Sequence, residues 1–427
     1  MALEDYAGDM NMCCRCNACK FIPLQQVKGY EHAHVCPSIS KYSFHFYSGG
    51  GRLNMGAAGL KDGFEYTPWL LDSIYNCTLC GACDVSCKYG MDMEVLRPIQ
   101  EVRIQAVKDG QGHPELAKVV ERMKATGSMV PMQGAKRGDW AQGLDLTDAT
   151  KEKVDVLYHV GCLTSFDKDM QKLAKATARI LQTADVDFGI AGDAETCCGG
   201  RAYEMGYEDE FLAQAAKSME VIKESGAKTL VTSCAVCYQC YAVLYDRFGL
   251  KGDLEVLHSS QMIERLLDEG KLQLDKTNDL NVTYHDPCHL GRLGEPWIHW
   301  QGTKVPGDRF VFDPPKPYRR GTNGVYEPPR TVIDALPGVT LTEMDRVKEY
   351  AWCGGSCGGV TDSNPEFAEW TAAERLAEAS DTGAEAIVSA SPWSEKLFAE
   401  VLARDGGSLK VYDIVELVDQ AIEEGGR

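Results

Sequence analysis

Short apolar runs alternate with amphipathic stretches from about residue 150 to the end of the chain. Apolar residues recur at helical spacing over 211–222 and again over 367–376. Each stretch precedes a strand-like run, ESGAKTLVTSC at 224–234 and DTGAEAIVSAS at 381–391, and these two runs match along their whole length. Strands that alternate with helices predict α/β units around a parallel sheet.

Because the whole unit recurs, we expect two pseudo-symmetric α/β domains, one at 150–278 and one at 279–427. Each begins with a short apolar strand that ends at a cysteine, VDVLYHVGC at Cys162 and NVTYHDPC at Cys288. Sites in parallel α/β sheets lie outside the carboxyl ends of the strands. The two cysteines are therefore candidate ligands at equivalent places.

The chain before residue 150 has a different pattern. MEVLRPIQEVRIQAVKDG and HPELAKVVERMKATG predict two helices, so we expect a helical domain over 1–128. The stretch 129–149 is rich in polar residues and glycine and is predicted to be a linker. A glycine-rich run, YSGGGRLNMGAAG, is predicted to be a loop in which the backbone comes close to a cofactor.

Composition narrows the chemistry. The chain has 427 residues, 18 cysteines and a formal charge of −19, which argues against a nucleic-acid partner. We see no signal peptide and no apolar run that could span a membrane, so we expect a cytoplasmic protein. A secreted disulfide framework is the alternative explanation of the cysteines, but clustered cysteines in an intracellular chain favour metal ligation.

Two cysteine runs near the N-terminus predict two cubane 4Fe–4S clusters. Both runs have three cysteines at successive two-residue gaps, the spacing of ferredoxin-type ligands. The fourth cysteine of each run in such proteins binds the other cluster. The expected ligand sets are Cys13, Cys16, Cys19 and Cys87 for one cluster, and Cys36, Cys77, Cys80 and Cys83 for the other.

Zinc is the alternative for these runs, although zinc sites rarely use three cysteines at such gaps. Two features depart from the usual ferredoxin pattern: the gap from Cys19 to Cys36 is longer, and Lys88 follows Cys87 where proline is common. We expect Cys14 to be a packed thiol rather than a ligand.

The first α/β unit carries a third cysteine pattern, a single cysteine, an adjacent pair and a final C-x-x-C. This spacing, with the flanking YHDPCHLGR and WCGGSCGG of the second unit, resembles the CCG-domain family of the heterodisulfide reductase catalytic subunit. The resemblance implies Rossmann-like α/β domains and one non-cubane 4Fe–4S cluster. It implies five ligands in the first unit: Cys162, Cys197, Cys198, Cys234 and Cys237. Five thiolates exceed what zinc or a cubane needs.

The second unit departs from this pattern. Gly354, Ser391 and Ser394 stand where three of the five cysteines would be, and a serine hydroxyl is a poor replacement for a thiolate. Cys288, Cys353 and Cys357 remain and could hold a further 4Fe–4S cluster or zinc. His285, His289 or Cys240 could complete this site. A metal-free, packed second unit is the open alternative.

A segment at 295–330 looks inserted into the second unit. It has six Lys or Arg against four Asp or Glu, in an otherwise acidic chain. Its interleaved aromatic residues are Trp297, Trp300, Phe310, Phe312, Tyr318 and Tyr326. Aromatic and arginine enrichment is typical of protein–protein interfaces, so we interpret the insert as a surface for partner subunits.

Together these patterns predict an iron–sulfur electron-transfer subunit of a multi-subunit oxidoreductase complex in an anaerobe. The expected partners are other redox subunits that carry flavin or iron–sulfur groups, and ferredoxin. The resemblance extends to electron-transfer subunits of class II benzoyl-CoA reductase complexes. The alternatives are a disulfide reductase catalytic subunit and a metal-stabilised scaffold protein.

Overall fold

The computed structural model describes residues 2–305 and 311–422. Its N-terminal region is helical, as predicted. The helices are α1 (Ala7–Met12), α2 (Pro37–Tyr42), α3 (Gly49–Gly59), α4 (Pro68–Tyr75), α5 (Ala82–Lys88), α6 (Leu96–Lys108) and α7 (Pro114–Thr126). Proline in the first turn of α7 and left-handed Gly127 after its last residue set the ends of that helix.

The glycine-rich run forms helix α3, so the prediction of a loop there was wrong. Ser48 caps this helix by accepting a hydrogen bond from the Gly51 N–H, which offsets the low helix propensity of glycine. The close approach of backbone to cysteine that we expected is present, because the Gly50 N–H lies 3.4 Å from Cys19 Sγ.

The first α/β region contains a five-stranded parallel sheet of order β1-β3-β2-β4-β5. The strands are β1 (Thr147–Asp148), β2 (Val156–Tyr158), β3 (Phe188–Ile190), β4 (Thr229–Thr232) and β5 (Glu255–His258). Its helices are α8 (Cys162–Phe166), α9 (Gln171–Thr183), α10 (Gly200–Glu204), α11 (Glu208–Ser225), α12 (Ala235–Gln239), α13 (Tyr245–Arg247) and α14 (Ser259–Asp268). A π-helical turn, Cys240–Leu244, joins α12 to α13.

The second α/β region has a parallel sheet of order β9-β6-β10-β11 and a small antiparallel pair, β7 with β8. The strands are β6 (Leu280–His285), β7 (Thr303–Lys304), β8 (Phe312–Asp313), β9 (Val339–Leu341), β10 (Ala386–Ser389) and β11 (Lys410–Asp413). Its helices are α15 (Glu327–Ala335), α16 (Val360–Ser363), α17 (Pro365–Asp381), α18 (Pro392–Asp405) and α19 (Ile414–Ala421).

The two sheets have the same strand order once β2, β3, β4 and β5 are matched with β6, β9, β10 and β11. The duplicated Rossmann-like parallel-sheet fold is therefore confirmed. Helix α9 packs on α19, and α14 packs on α15, which is the reciprocal pair of a pseudo-twofold arrangement. Lys172 of α9 strengthens this contact by pairing with Glu395 and Glu416 of the second region.

The stretch 129–149, predicted as a linker, is packed into the first α/β region. It supplies edge strand β1, and its Trp140 is fully buried against Tyr158. Short runs of polar residues conceal this role, because a two-residue edge strand leaves almost no hydrophobic period. The exact boundaries of the three predicted domains stay predictions.

Part of the insert at 295–330 packs within the chain, while Ile298 and Val311 are exposed, and its interpretation as a surface for partner subunits stays a prediction. The aromatic face of Trp297 lies under three guanidinium groups, those of Arg97, Arg247 and Arg319. Arg320 pairs with Asp92 of the N-terminal region. Some of the aromatic and arginine residues therefore make contacts within the chain.

Phe310, named among the aromatic residues of the insert, lies outside the described residues.

Candidate iron–sulfur sites

The five cysteines predicted for the first α/β region line one cavity at the carboxyl ends of its strands. Cys162 follows β2, Cys234 follows β4, and the adjacent pair Cys197–Cys198 precedes α10. All five side chains are buried. The structure therefore brings together thiols that are spread over 76 positions of sequence, from 162 to 237.

Two charged side chains hold the loop that presents Cys162. The Glu195 carboxylate accepts hydrogen bonds from the Val160 and Gly161 N–H groups at 2.8 and 2.9 Å. Arg137 pairs with this carboxylate and places Nη2 3.5 Å from Cys162 Sγ. A buried guanidinium beside a thiolate favours the charge that a metal ligand carries. Arg137 lies in the predicted linker, and no sequence motif indicated its role.

The backbone of Cys198 is fixed from the other side. Its carbonyl accepts hydrogen bonds from Tyr245 Oη at 2.9 Å and from Cys240 Sγ at 3.2 Å. Cys240 lies on the π-helical segment and Tyr245 begins helix α13 directly after it, and such π-helical distortions often occur at functional sites. Cys240 therefore has a supporting role here and lies outside the second region.

Four of the five first-region thiols have a raised pKa, whereas the hydrogen bond with Cys237 lowers the pKa of Cys234. The hydrogen bond to Cys197 and burial raise the pKa of Cys162 well above its usual range. Neighbouring buried thiolates repel one another, so only a cation among them makes their joint deprotonation favourable. This donor set fits an iron–sulfur cluster.

The second α/β region also contributes to the wall of this cavity. Pro392 and Trp393 line it, and the Arg201 guanidinium lies 4.0 Å from the centre of the Trp393 ring. Arg201 itself belongs to α10, directly after the cysteine pair. The first site is therefore enclosed by both halves, which the repeat pattern alone did not indicate.

In the N-terminal region, Cys13, Cys16, Cys19 and Cys87 line a common cavity. The structure thus brings Cys87 of the second run to the three cysteines of the first, as the exchange of fourth ligands requires. Cys14 is exposed, so our expectation of a packed thiol was wrong.

The other N-terminal cysteines, Cys36, Cys77, Cys80 and Cys83, form a deeper group. Burial, with the charges of Cys36 and Cys77, raises the pKa of Cys83 well above its usual value, and burial raises the pKa of Cys36 to about 12. Gly49 separates the two groups, because a Cβ built there would lie 3.0 Å from Cys83 Cβ and 3.3 Å from Cys19 Cβ. The two groups are therefore packed next to each other.

The three remaining cysteines of the second α/β region form a compact buried group. The Sγ atoms of Cys288, Cys353 and Cys357 all lie within 4.8 Å of one another, and those of Cys288 and Cys357 are 2.9 Å apart. Hydrogen bonds to Cys353 and Cys357 lower the pKa of Cys288 well below its usual range. This group also packs against Cys80 of the N-terminal region.

Of the three residues considered as a further ligand, His289 reaches this group. Its Nδ1 lies 3.7 Å from Cys288 Sγ and 3.6 Å from Cys357 Sγ. His285 instead accepts a hydrogen bond from Arg375 at Nδ1. Cys240 belongs to the first region, where it donates to the Cys198 carbonyl.

The space of the missing second-region ligands is filled. A Cβ at Gly354 would lie 2.9 Å from His285 Nε2 and 3.3 Å from Phe398 Cζ, so a cysteine side chain does not fit without movement. Ser391 and Ser394 are buried nearby. The expected absence of a five-thiolate site in this region thus has a steric reason besides the lost sulfurs.

Comparison with known families agrees with this arrangement. A family described as "Cysteine-rich domain" matches residues 156–240 and 282–393, and one described as "4Fe-4S dicluster domain" matches residues 9–91. A subunit of the dihydromethanophenazine:CoB–CoM heterodisulfide reductase of Methanosarcina acetivorans is 30% identical over 82% of this chain and 78% of its own length. The chain belongs to the family of this heterodisulfide reductase subunit.

Two further relatives are named as an iron–sulfur oxidoreductase and as a reductase subunit. The probable iron–sulfur-binding oxidoreductase FadF of Bacillus subtilis is 26% identical over 84% of this chain and 48% of its own length. A subunit of the CoM/CoB fumarate reductase of Methanothermobacter marburgensis is 24% identical over 99% of this chain and 74% of its own length. The chain is thus an iron–sulfur oxidoreductase-type protein with one dicluster domain and two cysteine-rich (CCG) domains. Within its described ranges, no helix is long and apolar enough to cross a membrane.

One buried side chain, Arg103 of helix α6 in the N-terminal helical region, contacts all three domains. Its guanidinium donates to the carbonyls of Ile74 and Cys77 in the same domain. It also donates to the carbonyl of Glu204 in the first CCG domain at 3.0 Å and to that of Gly358 in the second at 2.6 Å. Arg103 therefore links the segments next to Cys77, to the Cys197–Cys198 pair and to Cys357.

Proposed function

We propose that the chain relays electrons between two ferredoxin-type 4Fe–4S clusters and a non-cubane 4Fe–4S cluster in a multi-subunit oxidoreductase complex. The single observation that carries this proposal is the difference between the two CCG domains. Five thiols line one cavity in the first domain, while the second offers three thiols in a compact group. Only one of the two CCG domains offers the five thiols of a non-cubane cluster. A single such cluster beside a dicluster domain favours electron relay over catalysis by a pair of clusters.

The two ferredoxin-type ligand sets differ in exposure, which indicates where electrons enter or leave the chain. Cys16, in the first set, is exposed, whereas Cys36, Cys77 and Cys80 of the second set are buried. The first cluster is therefore the exchange point with ferredoxin or with a partner subunit that carries flavin or iron–sulfur groups. The second lies deeper, towards the CCG domains.

Two of the relatives support assignment to a complex, because their names describe them as subunits of reductases. We extend the proposal to an anaerobic complex of the class II benzoyl-CoA reductase type. The filled second CCG site supports it, since a relay subunit does not need a second substrate-facing cluster.

A disulfide reductase is the second candidate, and the relatives named heterodisulfide reductase favour it. The test uses the isolated chain, purified without oxygen and supplied with a reduced viologen dye. The relay predicts about 12 irons per chain, full reduction of three clusters and no sustained dye oxidation when a disulfide is added. Sustained turnover with the disulfide would replace the relay with the reductase, and about eight irons would remove the non-cubane cluster.

A further inference from the structure

We propose that Cys288, Cys353, Cys357 and His289 bind one zinc ion in the second CCG domain. Zinc at about 2.3 Å from each thiolate in a tetrahedron places neighbouring sulfur atoms roughly 3.8 Å apart. The three Sγ atoms form a group of this size, since all lie within 4.8 Å of one another, and Cys288 and Cys357, 2.9 Å apart, would separate slightly around the ion. A cubane spreads its thiolates over different irons, which needs a wider group than this one.

His289 is placed as the fourth ligand. In a tetrahedral zinc site a histidine nitrogen lies roughly 3.6 Å from each thiolate sulfur. The Nδ1 distances of 3.7 Å to Cys288 Sγ and 3.6 Å to Cys357 Sγ match this value for two of the three thiols, and a small movement of the ring would bring Nδ1 to the third, Cys353. Three thiolates with one imidazole is a common donor set of structural zinc sites.

The other ring nitrogen of His289 is held by a carboxylate from the first CCG domain. Nε2 is hydrogen-bonded to Glu204 Oε1, and the second oxygen of Glu204 accepts from the Gly358 N–H at 3.2 Å. A carboxylate behind a histidine fixes its tautomer and leaves the opposite nitrogen free for a metal. Glu204 therefore orients His289 and also the loop that carries Cys357.

The charge around the site favours an anionic metal–thiolate group. Zinc displaces the protons of the three thiols and binds the free lone pair of Nδ1, so the centre has a net charge of −1 with a neutral imidazole. Arg292 is buried close to it, since its guanidinium donates to the carbonyls of Cys80 and Ala351. Within residues 2–305 and 311–422, its Nη2 has no hydrogen-bond partner, which an anionic centre would supply.

This assignment gives the second CCG domain a structural role. Zinc has no redox chemistry in proteins, so the centre cannot carry electrons. Cys353 packs against Cys80 of the deeper ferredoxin-type set. A zinc ion here would hold the CGGSC loop in place against that cluster. The assignment does not depend on which partner exchanges electrons with the chain.

The test begins with the wild-type chain, purified without oxygen and without added metal. Elemental analysis should give about one zinc per chain beside its iron, retained after dialysis against EDTA. The zinc absorption edge should fit three sulfurs at about 2.3 Å and one nitrogen at about 2.0 Å. These measurements need no variant and so do not depend on any variant folding.

Variants then assign the ligands. His289→Ala should lose zinc and keep its iron, whereas His289→Cys should regain zinc with a four-sulfur shell. Glu204→Gln should keep zinc but release it to a chelator roughly 10–100-fold more readily, because the imidazole is less firmly held. His299→Ala, an exposed histidine of the insert, is the control and should change neither metal.

Three results would overturn the proposal. One is a wild-type chain without zinc, whether its Cys288 and Cys357 are free thiols or a disulfide. Another is about four additional irons in place of zinc, which would mark a fourth cluster. The last is a wild-type shell of four sulfurs that survives His289→Ala, which would point to Cys80 instead.

Discussion

The two CCG domains share a backbone frame but differ in the volume around their cysteines. In the first, His159 packs edge-on against Tyr241 with ring centres 5.0 Å apart, and in the second, His285 packs against Phe398 at the same distance. The first frame encloses a cavity lined by five thiols, whereas in the second His285 and Phe398 border the position of Gly354. The two domains therefore share their strand order. The side chains packed around the cysteine positions determine that only the first domain has room for a large cluster.

The two CCG domains also differ in the helix at their C-x-x-C position, which is Cys234 and Cys237 in the first domain and Ser391 and Ser394 in the second. In the first domain the π-helical turn Cys240–Leu244 brings Cys240 and Tyr245 to the Cys198 carbonyl. In the second, α18 runs as a regular α-helix of 14 residues. A π-turn costs regular hydrogen bonding and is usually retained at functional sites. Its presence in the first domain, where the second has a regular helix, agrees with a demanding cofactor there.

The largest expected effect is the loss of iron when one cysteine of the first CCG site is removed. Cys198→Ala should lose about four irons per chain while the two ferredoxin-type signals stay, because the N-terminal ligand sets are separate from this cavity. Elemental analysis and electron paramagnetic resonance of the reduced protein measure this. Cys14→Ala, at an exposed cysteine outside the predicted sets, should keep all its iron. Loss of the ferredoxin-type signals in Cys198→Ala would refute the independence of the sites.

Restoring the cysteines of the second site is the converse change. The triple variant Gly354→Cys, Ser391→Cys, Ser394→Cys should gain no four-iron cluster, because His285 and Phe398 occupy the space. The new side chain at 354 should destabilise the fold by about 1–3 kcal/mol through overpacking. Unfolding by urea and iron analysis test both parts.

Gly90→Ala is the control for that variant, since a Cβ there would meet nothing within 4 Å. A gain of about four irons in the triple variant would mean that only the missing ligands distinguish the two domains.

The parts predicted from sequence were those with local signals. The match between 224–234 and 381–391 predicted β4 and β10 correctly, because a repeated pattern of strand and helix is visible along the chain. Strand β1 was missed because two residues give no period. The contact of His289 with Glu204 spans 85 positions and depends on how two domains pack, so no motif could indicate it. The contacts of Trp297 and Arg320 within the chain were not predicted either, because the composition of a segment does not distinguish an internal interface from an external one.

The smallest expected effect concerns the buried carboxyl group of Glu395, next to Ser394 in helix α18. Glu395 occupies the position of Tyr238 in the first domain, and burial, with the nearby Glu416 charge, raises its pKa to about 8. The folded chain thus holds this proton more tightly than the unfolded chain, in which the pKa is near 4.5. Its contribution to stability is complete below about pH 4.5 and is lost as the pH rises through 8.

Glu395→Gln should remove this pH dependence, because the amide resembles the protonated acid and can still accept from Lys172. The apparent Tm of the wild type, at a fixed scan rate, should fall more between about pH 5.5 and 8.5 than that of the variant. The difference corresponds to a free energy of unfolding on the order of 1–3 kcal/mol. Glu400→Gln, at an exposed carboxyl of the same helix, should behave like the wild type. If Tm changed equally with pH in Glu395→Gln and in the wild type, Lys172 would keep Glu395 ionised throughout this range. The two domains would then be joined by an ion pair between Lys172 and an ionised Glu395 rather than by a hydrogen bond to a protonated one.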